Sequence, residues 1–163
     1  MAECHASTTL SWPSVTCRNQ NEETANVTSA EKQLEGGCLC GAVRYRTSGM
    51  PFLAEYCHCR MCQKAAGAAF GNWMDFEADR IEWLKGRPDE YRSSEQIYRG
   101  FCSRCGSSLS FRSAEHPRYL TLTINSLDDP NLVVPTQHIY TASQVAWLDM
   151  KDDCARFDTH RTR

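Results

Sequence analysis

Seven of the chain's ten cysteines fall into three tight groups, Cys38-x-Cys40, Cys57-x-Cys59-x-x-Cys62 and Cys102-x-x-Cys105. A Cys-x-x-Cys turn sets two thiolates side by side, with backbone N–H groups aimed at the sulfurs. That geometry suits tetrahedral zinc at a Zn–S distance of about 2.3 Å. Cys102-Ser103-Arg104-Cys105-Gly106 has this form, with Gly106 supplying backbone freedom after the turn. Cys38-Leu39-Cys40-Gly41 is a looser pair, also followed by glycine. Two and two make a closed site of four cysteines, structural in role, that clips the start of the domain to its later half. Such a site contributes on the order of 10 kcal/mol to folding.

The middle group differs in kind. Cys57-His58-Cys59-Arg60-Met61-Cys62 offers three sulfurs within six residues, enough to hold one metal from one segment. Three protein ligands and an open fourth position describe a catalytic zinc, where water or a substrate thiolate can bind. Cys57, Cys59 and Cys62 are therefore the candidate catalytic residues. His58 is expected to point away, because both its neighbours bind. A further protein ligand, His116, His138 or Cys154, would close the site and make it structural. Free thiols ionise only near pH 8.5, at about the value of the unperturbed side chain. An open zinc site favours the deprotonated form, ready to attack an aldehyde carbon or, in reverse, to be eliminated. Three thiolates donate strongly and weaken the zinc as a Lewis acid, so thiol binding is favoured over water activation.

Three stretches in this order are specific where a single Cys-x-x-Cys would not be. They are Gly36-Gly37-Cys38-Leu39-Cys40-Gly41-Ala42-Val43-Arg44-Tyr45, Cys57-His58-Cys59-x-x-Cys62-Gln63-Lys64-x-x-Gly67-x-x-Phe70 and Phe101-Cys102-x-x-Cys105-Gly106. Together they resemble the glutathione-dependent formaldehyde-activating enzyme family, whose domain the centromere protein V proteins share. The likeness runs from about Gly36 to Trp147 and ends in a family-like His138-Ile139 and Trp147. It implies a β-tent fold of small antiparallel sheets clipped by two zinc ions. By position, Cys38, Cys40, Cys102 and Cys105 would hold the structural zinc, and Cys57, Cys59 and Cys62 the catalytic one. The activity implied is that of a carbon–sulfur lyase, joining glutathione and formaldehyde into S-hydroxymethylglutathione.

The elements that must position these groups are mostly strands. Short alternating runs occupy Ala42 to Arg46, Phe70 to Phe76, Arg80 to Leu84, Gln96 to Phe101, Ser108 to Phe111, Tyr119 to Ile124 and His138 to Thr141. Helical turns are expected at Arg60 to Ala66, before Gly67, and near Asp128 to Leu132. The fold class is mainly β, one domain over residues 34–150. Residues 1–33 lack apolar periodicity and are expected to form a mobile tail, and residues 151–163 a second tail. Cys4, Cys17 and Cys154 stand singly and receive no role.

Other side chains are assigned bland places. Arg60 and Lys64 could meet the carboxylates of a peptide-like thiol, but solvated charges are the first expectation. Phe70, Trp73, Trp83 and Trp147 are expected in the core, and His138 as a satisfied structural histidine. Arg92, Arg99, Arg104, Arg112 and Arg118 are spread over several runs, which suggests a solvated face.

Composition limits the partners. The formal charge is −2, and two zinc ions with seven thiolates would take it to about −5. Neither value favours nucleic acid or an anionic membrane. No run is long enough to span a bilayer, and the N-terminus lacks the pattern of a secretory signal. A cytoplasmic, reducing location is expected, with the clustered cysteines as ligands rather than disulfides. The expected partner is a small-molecule thiol such as glutathione; the oligomeric state is left open. The competing assignment is a non-catalytic, zinc-stabilised protein-binding module with both metals structural.

Overall fold

Residues of one strand alternate between the two faces of its sheet, so a strand that is apolar at every second position can bury one side. The computed structural model of the chain describes residues 32–160, and this alternation organises them. In chain order the strands are β1 (Gln33–Gly37), β2 (Arg44–Ser48), β3 (Leu53–Cys57), β4 (Gly71–Glu77), β5 (Ile81–Lys85) and β6 (Asp89–Arg92). They continue as β7 (Ile97–Phe101), β8 (Ser108–Ser113), β9 (Tyr119–Thr123), β10 (Gln137–Ile139) and β11 (Ala155–Arg156). A single α-helix, α1 (Arg60–Ala66), follows β3, and the turn at Pro130–Leu132 is a 3-10 helix.

Strands β1, β2 and β5 form a three-stranded sheet. The other eight form a second sheet in the order β11-β10-β3-β4-β9-β8-β7-β6. The architecture is mainly β, as expected, and most pairings are antiparallel. Two are parallel, β10 with β3 and β10 with β11.

The main core lies between the two sheets. Leu34, Tyr45 and Ile81 of the smaller sheet meet Ala54, Met74, Phe76 and Leu122 of the larger, with Ile124, Leu127 and Val133 closing the edge. Met74 pairs with Leu122 and Ala54 with Met74, so these residues share one face of the large sheet. The opposite face takes the odd-numbered partners: Cys57 beside Gly71, Trp73 beside Thr123, and Thr121 beside Phe111. Phe111 in turn faces Arg99. One face thus builds the core, and the other carries side chains toward the middle cysteine group.

Four strands fall outside the expected runs. β3 buries residues of both faces, with Ala54, Glu55 and Cys57 all covered, so it shows no alternation. β6 is exposed throughout, β1 carries only one large apolar side chain, Leu34, and β11 is two residues long. Of the expected N-terminal tail, residues 1–33, all but the last two lie outside the described residues, and Gln33 already belongs to β1. Cys4 and Cys17 lie outside the described residues as well. The expected C-terminal tail, residues 151–163, instead carries β11 and buries Cys154; residues 161–163 are not described. Trp147, expected in the core, is 76% exposed.

Gly36 fixes the approach of the two sheets. A β-carbon there would stand 2.4 Å from the Ser126 carbonyl oxygen and 2.5 Å from the Tyr45 hydroxyl. Gly41 has the left-handed φ of 68° but open space around it. Gly36→Ala is therefore expected to cost at least about 2 kcal/mol by overpacking, and Gly41→Ala about 1 kcal/mol by backbone strain. Urea unfolding of the two variants checks the order; a Gly36→Ala protein as stable as Gly41→Ala would mean that the contact yields easily.

Candidate metal centre

The four outer cysteines converge although more than sixty residues separate the two pairs. Cys38, Cys40, Cys102 and Cys105 bring their sulfurs within 4.8 Å of one another. Cys38 Sγ lies 3.6 Å from Cys40 Sγ, and Cys40 Sγ lies 3.8 Å from Cys102 Sγ. Four sulfurs at about 2.3 Å from a central metal form a tetrahedron with edges of about 3.8 Å. A disulfide would need about 2.05 Å. The spacing fits a shared metal, and zinc suits an all-sulfur tetrahedron.

Local backbone accounts for this convergence. Gly41 and Gly106, each in the left-handed region, end the turn after their cysteine pairs. The turn lets Val43 N–H donate to Cys38 Sγ at 3.2 Å and Gly106 N–H to the Cys102 carbonyl. The Ser107 hydroxyl lies 3.2 Å from Cys105 Sγ and, with the Ser107 N–H, pulls that thiol down to about 6. Val43, Leu109 and part of Trp83 cover the cluster.

The middle group sits at the end of β3 and on α1. Cys57, Cys59 and Cys62 also lie within 4.8 Å of one another. Cys59 caps α1, its sulfur accepting from Cys62 N–H at 3.4 Å. Trp73, Ile139, Phe111 and Tyr140 pack around the three sulfurs; Cys57 and Cys62 are buried and Cys59 is half-buried. Cys59 is held down to about 2 by hydrogen bonds from the Cys57 and Cys62 thiols, while Cys57 is pushed far up by the same contacts and by burial. Without a cation only one of the three carries charge readily. A metal ion that coordinates all three removes that conflict.

Among the described residues no further Cys, His, Asp or Glu joins this trio. His116 is exposed on the turn after β8. Cys154 approaches His138 and Asp152 instead, its sulfur 3.5 Å from the Pro135 carbonyl. Both ring nitrogens of His138 are already engaged: Nδ1 lies 2.8 Å from His58 Nε2, and Nε2 lies 3.1 Å from Asp152. His58 itself turns to the face opposite Cys57, where its ring stacks on His138 at 5.1 Å. Burial pulls His58 down to about 4, with His138 nearby adding to the effect. His58 Nδ1 is buried with no partner among the described residues.

Segments distant in sequence hold this loop in place. Gln63 donates from Nε2 to the His58 carbonyl at 2.6 Å and to the Ser143 carbonyl at 3.0 Å. Tyr140, with φ 58° and ψ 39°, is the one non-glycine residue at positive φ among those described. The chain after β11 grips it: Tyr140 N–H donates to Thr159 O, and Thr141 N–H donates to Phe157 O. Burial and the nearby cysteines raise the Tyr140 hydroxyl.

The expected solvated face holds only in part. Arg104 is exposed, Arg112 pairs with Glu90, and Arg118 lies over Tyr119. Arg99 is 8% exposed and directs both Nη atoms at Cys62 Sγ, at 3.8 and 3.9 Å. Sequence reasoning missed it because an arginine among other arginines carries no sign of burial. Arg60 and Lys64 are exposed, and Arg60 reaches Gln63 Oε1.

The family model described as "Glutathione-dependent formaldehyde-activating enzyme" matches residues 33–143. A Halomonas elongata protein named "Putative glutathione-dependent formaldehyde-activating enzyme" is 31% identical over 130 residues, 72% of this chain and 81% of that one. A crystal structure of a Rhodobacter sphaeroides protein aligns with a TM-score of 0.48 at 19% identity, covering 63% of this chain and 98% of that one.

Burial lowers the affinity of His138 for a proton, against the pull of Asp152. The unfolded chain therefore takes up a proton near pH 6.5 that the folded chain refuses, at about the value of a free histidine. Stability from this group is full above that pH and is lost as pH falls toward the lowered native value. With zinc in excess, the urea midpoint is expected to fall as the pH drops below about 6.5. His138→Asn is expected to be less stable at pH 7.5 by roughly 1–3 kcal/mol, yet with a shallower slope. Equal slopes would rule out His138 as the source.

Proposed function

We infer the function from one premise: the chain belongs to the glutathione-dependent formaldehyde-activating enzyme family. Within it, we propose a zinc-dependent enzyme of the carbon–sulfur lyase type, acting on a thiol such as glutathione and an aldehyde carbon. Cys38, Cys40, Cys102 and Cys105 would hold a structural zinc. Cys57, Cys59 and Cys62 would hold a second one, at the reacting centre. The observation that carries this reading is the middle trio of sulfurs, which no fourth protein ligand joins among the described residues.

Zinc bound there would supply the positive charge that keeps a thiol deprotonated near neutral pH. The residues of the chain do the rest. Half-buried Cys59 leaves one side of the trio open, while Trp73, Phe111 and Tyr140 keep water from the others. The substrate thiol gives up its proton to solvent, and its sulfur lone pair forms the new bond to the aldehyde carbon. The carbonyl π pair moves to oxygen, which takes up a proton, and the product is a hydroxyalkyl thioether. The reverse sequence eliminates the thiol.

A carboxylate-bearing thiol has cations to meet close by. Arg60 and Lys64 line a cleft of about 410 Å³ along α1, with Gly67, Val145 and exposed Trp147. Lys64 is in the last turn of the helix whose second half-turn supplies Cys62. The two cations fit the carboxylates of a peptide-like thiol.

The test replaces zinc by cobalt(II) and follows the thiolate-to-metal bands while glutathione is added anaerobically. Saturable change at one of two loaded sites is expected. An unchanged spectrum with both sites loaded would favour a non-catalytic zinc module that binds another protein. Cys62→Ser is expected to abolish adduct formation above the uncatalysed background while keeping the fold. Cys105→Ser is expected to lose much of the fold, because a structural site contributes on the order of 10 kcal/mol. Equal collapse in both variants would mean two structural sites.

A further inference from the structure

Arg99 is a buried cation without a carboxylate. It lies on β7 opposite Phe111, so it shares the sheet face that carries Cys57 and Trp73. Its guanidinium sits 5.3 Å from the centre of the Phe111 ring. No Asp or Glu lies within ion-pair distance among the described residues, and its side chain's hydrogen bonds run to Cys62 Sγ alone. Arginine stays charged throughout the usable pH range, and a buried charge needs an opposite one. Among the described residues, the sulfurs are the only groups in its reach that can carry negative charge.

The charge count shows what this arginine is placed to do. Three thiolates around a dication leave one negative charge, which Arg99 cancels. A neutral fourth ligand leaves that balance unchanged. An anionic fourth ligand would raise the centre to two negative charges, and Arg99 brings the sum back to one. Each Nη carries two N–H groups and spends one on Cys62 Sγ, so the fork keeps donors free to turn toward an added anion.

We propose that Arg99 is the anion-holding residue of the Cys57, Cys59 and Cys62 centre, making its open position select anionic donors, a thiolate above all, over neutral ones. The proposal rests on the reading of that centre as one with an exchangeable fourth ligand. Arg99 then serves specificity rather than the fold, since it binds to the ligand and not to a structural carboxylate.

The test compares an anionic and a neutral probe on the full-length, cobalt(II)-loaded protein. Azide and imidazole are titrated separately into the wild type, Arg99→Lys and Arg99→Met, with two metals per chain and the bands of the four-cysteine site as checks of folding. In Arg99→Met, azide affinity is expected to fall by about tenfold, as for loss of one charge-assisted hydrogen bond, while imidazole affinity changes by less than about twofold. Arg99→Lys, which keeps the charge, is expected to retain most of the azide affinity. Equal losses for both probes would show a packing role and overturn the proposal, as would azide binding that does not change. Should Arg99→Met fail to hold two metals, Arg99→Lys decides: azide preference kept supports the proposal, and preference lost overturns it. A wild-type centre that takes neither probe would refute the exchangeable position itself, an outcome distinct from a wild type that takes both without discrimination in the variants.

Discussion

Sulfurs packed 3.6–3.8 Å apart cannot all be ionised unless a cation sits among them. That repulsion is the constraint on which the rest of the structure depends. In the middle trio, hydrogen bonds among the thiols hold Cys59 down and, with burial, push Cys57 far up. In the outer group the repulsion falls on four side chains from two hairpin-like turns, one ahead of β2 and one between β7 and β8. A chain that brings seven thiols into two such clusters gains little from them as bare thiols. It gains a great deal once each cluster shares a dication, because repulsion between sulfurs becomes attraction to a common centre. The small sheet, anchored through Cys38 and Cys40, is then tied to the far end of the large sheet through Cys102 and Cys105.

The large sheet separates its core side chains from those around the cysteine trio by face. Leu122, Met74 and Ala54 point into the core, and their neighbours Phe111, Trp73 and Cys57 belong to the face that carries the trio. A shift of any of these strands by one residue would swap the two sets. The sulfur site is therefore held by the register of the sheet as much as by its own loop. Gly36 matters for the same reason. By allowing β1 to pass close to Ser126 and Tyr45, it seats the small sheet on the core face and leaves the other face to the cysteines.

The grouping of the cysteines was legible in the sequence because it is local: three sulfurs in six residues, or two around a tight turn, can be seen without knowing the fold. α1 was legible too, from its helix-favouring residues and the glycine that follows, and so were the strands with one solvated face. β3 was not, because it is buried on both faces and alternation vanishes there. β6 was not, because as an edge strand it needs no apolar residues. The burial of Arg99 was illegible for a deeper reason. Its partner is the sulfur of Cys62, thirty-seven residues away, and the strand order β3-β4-β9-β8-β7 is what sets the two on one face of the sheet.

The C-terminal segment makes the same point in reverse. Residues past 150 are short of apolar periodicity, so nothing in them announces an ordered place. Yet β11 adds to β10, Phe157 and Thr159 carbonyls hold the Tyr140 backbone, and Asp152 ends a buried chain through His138 to His58. His58 stands between Cys57 and Cys59 on the opposite face. With Asp152 accepting from His138 Nε2–H, His138 Nδ1 accepts from His58 Nε2–H, and each ring has one tautomer left. That ordering fixes the His58 ring, and with it the backbone from which two of the three sulfurs hang. The segment that looks least structured in the sequence thus sets the geometry of the loop that carries the three cysteines. The cysteines are positioned by contacts remote in the chain, and local spacing only groups them.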